Sequence, residues 1–155
     1  MTEDRDFLAA FSGGFHGILR WHQLDALWAR LRARAGEGWY VYAVGEPPPV
    51  APVDAEALEH FLSGMDALLR RDHDEDYCGV VYADDPASPR FVKIYDPNHL
   101  GSSCGSSGLR ILPGWTISLL PPVDLPEALP QTGSRKRWWQ RLFGGQNRES
   151  GSGNR

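Results

Sequence analysis

Only two cysteines, Cys78 and Cys104, occur in the 155 residues of this chain. That is too few for a disulfide framework or for a four-thiolate zinc site. No apolar run approaches the ~20 residues that cross a bilayer as a helix. The opening Met1-Thr2-Glu3-Asp4-Arg5-Asp6 is acidic, whereas a signal peptide needs a basic start and an apolar centre. The expected location is therefore the cytoplasm, where both thiols stay free. Also missing are a paired Cys-x-x-Cys, a His-Glu-x-x-His, the Lys-Ser/Thr that ends a phosphate-binding loop, and any internal repeat.

What is present is a soluble composition, 41% hydrophobic and 23% charged, in a chain long enough for one domain with a real core. The usage of Ala, Arg, Trp and Pro is of a bacterial type. Charge is split along the chain. Residues 1–133 hold 10 Lys and Arg against 19 Asp and Glu, or −9; residues 134–155 hold 6 against 1, or +5. An acidic body does not suit phosphate backbones, so no specific nucleic-acid partner is expected.

Hydrophobic spacing predicts a short helix from Asp6 to Phe11 and a second from Trp21 to about Ala35, with Leu24, Leu27, Trp28 and Leu31 inward. Trp39 to Val44 is aromatic and β-branched and reads as the first strand. A proline-rich connector follows. Asp54 then caps a long helix whose inward stripe is Leu58, Phe61, Leu62, Met65, Leu68 and Leu69. Cys78 to Ala83 and Phe91 to Tyr95 form a hairpin, and Trp115 to Leu120 is the last strand.

The order ααβαβββ predicts an α+β fold, a mainly antiparallel four-stranded sheet with helices packed on one face. The helix joining the first two strands would allow those two to be parallel. Tyr40 and Tyr42 share one face of the first strand, and Trp39 and Val41 the other. One aromatic face could thus serve a partner, or both could be buried. The expected organisation is one domain over 1–125, a linker over 126–134, a basic Trp-rich amphipathic segment over 135–143 and a disordered tail over 144–155.

Two polar segments could supply chemistry. One is Asp72-His73-Asp74-Glu75-Asp76-Tyr77-Cys78, and the other is the 96–108 loop, rich in Gly and Ser, with Asp96, His99 and Cys104. The hairpin puts them at one end of the sheet. A thiol site would use Cys104 as nucleophile, His99 or His73 as base, and Asp96 or Asp76 behind it. A metal site would draw on His73, Asp76 or Glu75, His99 and Cys104, with zinc the first guess for such mixed ligands. The Gly-Ser run could also curl its N–H groups around an anion. Set against all three is a tight loop with no catalytic duty.

A separate signal is Arg135, Lys136, Arg137, Trp138, Trp139, Arg141, Leu142 and Phe143. On a helix the aromatic and aliphatic members form an apolar edge flanked by cations. That pattern fits a segment docking on a protein partner or an anionic membrane surface, or one that packs Trp138 on its own domain. The expected function is a small accessory protein acting by contact, possible peripheral binding at the inner face of the membrane included. The alternative is a thiol- or metal-dependent enzyme built on the 96–108 loop and the 72–78 segment.

Overall fold

The computed structural model describes residues 2–100, 112–125 and 131–151, with side chains over 6–98, 112–125 and 131–143. Its elements are α1 (Thr2–Phe11), β1 (His16–Ile18), α2 (Trp21–Ala33), β2 (Tyr40–Ala43), α3 (Ala55–Asp72), β3 (Val81–Ala83), β4 (Phe91–Ile94), α4 (Pro97–Leu100), β5 (Trp115–Ser118) and α5 (Gly133–Gly151). The fold is α+β, around one five-stranded sheet in the order β1-β3-β4-β5-β2. Every pairing in it is antiparallel.

The long helix forms as its residues dictate. The Asp54 carboxylate accepts a hydrogen bond from the Ala57 N–H at 2.8 Å, and all six residues of the expected stripe are buried. That stripe packs with Leu24, Leu27, Trp28 and Leu31 of α2 on one face of the sheet, against Val41, Val81, Val92, Ile94, Trp115 and Ile117. Trp28 secures the two helices by donating its indole N–H to Asp66 at 3.0 Å.

Three expectations need correction. The fifth strand, β1, was missed because three residues, two of them exposed, give no alternation to read. The strands β2 and β3 are not parallel neighbours, since β4 and β5 lie between them. Helices cover both faces, not one. On the second face Phe7 and Phe11 of α1 close over Tyr42, Val44, Phe91 and Leu125, and the Lys93 ammonium sits 4.2 Å from the Phe11 ring centre and 4.1 Å from that of Phe15. Trp39 and Tyr42 are both fully buried, and Tyr40, on the same face as Tyr42, is half-buried.

The C-terminal segment also differs from expectation. Gly133 and Ser134 belong to α5 and not to a linker, and the helix runs through 144–151, where the sequence suggested disorder. A turn fixed by packing removes the nucleation cost that would keep so polar a segment unfolded alone. Residues 126–130 of the expected linker lie outside the described residues.

Candidate functional site

At the end of the sheet where β4 finishes and α3 stops, α5 is clamped down by one arginine. Arg135 presents its Nε to Asp96 Oδ2 and its Nη2 to Asp96 Oδ1, both at 2.9 Å, and Nη2 also donates to Asp72 Oδ2 at 2.8 Å. The side chains of Arg135 and Asp96 are 5% and 2% exposed. Asp72 is held from its other side by Arg71, whose Nε donates to Oδ1 at 2.8 Å. Asp96 additionally accepts the Asn98 N–H at 2.9 Å, which turns the chain into α4.

The charges respond to this arrangement. The bonds to Asp96, more than those to Asp72, raise the Arg135 pKa above its ordinary value against the pull of burial. Hydrogen bonds from Arg71, and then those from Arg135, hold the Asp72 carboxyl below its ordinary range. Two cations and two carboxylates thus form a set with no net charge.

Apolar packing completes the seat. Trp138, one helical turn beyond Arg135, inserts between Trp115 and Phe61, with ring centres 5.4 and 6.4 Å away. Trp139 lies against Phe61 and Phe143 at 6.0 and 4.9 Å. Gly64 on α3 leaves the space that Leu142 fills; a methyl group there would collide with Leu142 Cδ2. Just before α5, Gln131 donates its side-chain amide to the Val44 and Gly114 carbonyls at 2.9 and 3.1 Å.

The two polar segments singled out in the sequence do meet, through Asp72 and Asp96 on a shared Arg135. The other candidates are placed differently. His73 is half-buried between Trp21 and Tyr77, with ring centres 6.3 and 5.6 Å away. Asp76 and Glu75 are exposed. Among the described residues, no three His, Cys, Asp or Glu come together as metal ligands. Cys104 and the His99 side chain lie outside the described residues, so the thiol and zinc arrangements drawn around them do too. Cys78 is fully buried, and burial pushes its thiol pKa up.

In the basic segment, Arg135 and Trp138 are buried in their own domain, and Trp139, Leu142 and Phe143 are half-buried against it, whereas Lys136, Arg137 and Arg141 are exposed. Sequence reading missed the clamp. One usable signal existed: Arg135 and Trp138 are three apart and share a helix side, so a home for one is a home for both.

No protein-family model, curated protein or solved structure matches this chain. The class defined by fold and site is therefore stated from geometry: a small α+β domain with a C-terminal helix held by a buried Arg–Asp clamp. Among its described residues no helix is long and apolar enough to cross a membrane.

Proposed function

We propose that this is an accessory protein of the cytoplasm that works by binding, and that the outward side of α5 docks it on an acidic protein surface. One observation supports this most. Lys136, Arg137 and Arg141 are exposed on α5, while Arg135 and Trp138 of the same helix are buried and Trp139 is half-buried. The helix thus offers partners its charge and keeps its apolar edge for its own domain. Insertion of that edge into a membrane would have to break the Arg135–Asp96 pair. The basic side alone would give an anionic membrane only about 1 kcal/mol per cation.

The test is a charge reversal at three exposed positions, Lys136→Glu, Arg137→Glu and Arg141→Glu, with the fold checked by circular dichroism. Recovery of partners should fall, and wild-type recovery should weaken as salt rises. Equal recovery by both proteins would end the reading. Retained binding to anionic vesicles with no protein partner would transfer the role of α5 to the membrane surface.

A second reading keeps the thiol- or metal-dependent enzyme. In its favour, the clamp fixes Asp96 at the head of the 96–108 loop and brings the 72–78 segment beside it. Alkylation of Cys104 across pH tests it: a midpoint of about 3.5–7.5 marks an activated thiol, whereas one near 8.5 removes the nucleophile.

A further inference from the structure

The sheet ends at β2 on one side and at β1 on the other, and the two edges are finished differently. Beside β2 runs the 46–53 connector, tied to the strand at both ends. There Glu46 N–H reaches the Ala43 carbonyl at 3.0 Å and Val53 N–H the Trp39 carbonyl at 2.8 Å. Between these points Pro47, Pro48, Pro49 and Pro52 have no N–H to offer, and a proline-rich cover of this kind closes an edge to further strands.

β1 has no such cover among the described residues. Ile18 turns its carbonyl inward, accepting the Gly79 N–H at 2.9 Å, and opposes Val81 of β3. Bonded positions alternate along an antiparallel strand, so Gly17 turns its N–H and C=O away from the sheet. His16 and Gly17 are both exposed. A Cβ at Gly17 would press on the Tyr82 ring at 3.2 Å, so the packing of Tyr82 keeps this backbone bare. Edge strands are commonly guarded by Lys, by Pro or by a covering segment. β1 is short, but it carries neither residue.

The C-terminal end of this edge is apolar and acidic. Leu19 accepts the Cys78 N–H at 2.7 Å, which brings Tyr77 to its side. The two side chains are 59% and 48% exposed. The Trp21 indole donates to the Glu75 carbonyl at 3.0 Å and so fixes the turn before Tyr77. From that turn Asp74, Glu75 and Asp76 all project into solvent. The cations at the end of α3 are already taken, Arg70 by Asp25 and Asp66 and Arg71 by Asp72. Arg20, exposed next to Leu19, offsets one of the three carboxylates and leaves the others unbalanced.

We propose that the outer edge of β1 binds an extended basic peptide of a partner protein as an added strand. The peptide pairs its backbone with the N–H and C=O of Gly17. Its side chains alternate between two faces, so apolar residues on one face rest on Leu19 and Tyr77 while Lys or Arg reaches Asp74, Glu75 and Asp76. A second copy of this chain would add three more carboxylates to the same edge, so charge complementarity selects a basic partner. This surface lies across the sheet from β2, whose cleft is shared with α5, and its role stands apart from that of the basic helix.

The test is an NMR titration of the ¹⁵N-labelled full chain with an octapeptide of alternating Val and Lys, capped at both ends. Two controls run in parallel: the same peptide with Glu for Lys, and the Lys peptide N-methylated at alternate residues on its pairing side. The expected result is saturable shifts at the His16, Gly17 and Leu19 amides, with slowed exchange of the Gly17 N–H and no change over 133–143. Both controls should bind at least tenfold more weakly. The exposed-site variant Asp74→Lys/Glu75→Lys/Asp76→Lys should weaken the Lys peptide at least tenfold. Absence of saturable shifts at millimolar peptide, or shifts centred away from β1, would overturn the assignment. So would equal binding of either control peptide, or unchanged affinity in the variant. A dimer in sedimentation whose Gly17 N–H already exchanges slowly without peptide would give the edge to a second copy and overturn it as well.

Discussion

Replacing Arg135 by Met would leave Asp96 buried as a bare charge. In the native fold that carboxylate receives two bonds at 2.9 Å from Arg135 and one from the Asn98 N–H. The variant keeps only the last, in a side chain 2% exposed. Removing one member of a buried pair typically costs about 3–5 kcal/mol, because the other charge stays desolvated. Against a total stability of roughly 5–15 kcal/mol, that is a large share. For a domain of this size it lowers Tm by roughly 6–20 °C. Asp96→Asn should cost less, since Arg135 still has Asp72. The double variant Arg135→Met/Asp96→Leu should recover much of the loss, because neither charge remains to be desolvated. Urea unfolding of the four proteins gives the cycle. Amide exchange over 133–143 then shows whether α5 leaves first. A cost below about 1 kcal/mol for Arg135→Met, the range of exposed pairs, would refute the claim that this clamp holds the helix. So would a double variant less stable than Arg135→Met.

Three further outcomes follow from the same packing. Gly64→Leu fills the space Leu142 occupies and should destabilise by about 1–3 kcal/mol; a melting curve unchanged from wild type would mean that α5 is not seated there. Folding favours the charged form of Asp72, so its contribution is complete above its ordinary value of 3.8 and is lost as pH falls below it. Asp72→Asn should therefore flatten part of the acid limb of a stability–pH curve, and an identical limb in the variant would show that Asp72 is not linked to folding. Cys78 should resist alkylation in the native state at pH 8 and react only when the domain opens, since it is fully buried with its pKa raised; labelling at the rate of a free thiol would contradict the burial.

The sequence by itself determined those elements whose burial repeats at a fixed spacing. The stripe from Leu58 to Leu69, the Asp54 cap and the 81–94 hairpin were legible because local periodicity and capping chemistry specify them. The meeting of Asp72 with Asp96 was legible in part, since a hairpin fixes which strand ends are neighbours. It took the tertiary structure to decide what joins them. Arg135 is 39 positions from Asp96 and 63 from Asp72, and nothing local separates a cation bound for a buried carboxylate from one left in water. Lys136 and Arg137 adjoin it in sequence and point outward. The same holds for α1 on the second face and for the edge of β2. An amphipathic segment records that it has a partner, while only assembly of the chain selects whether that partner is its own sheet.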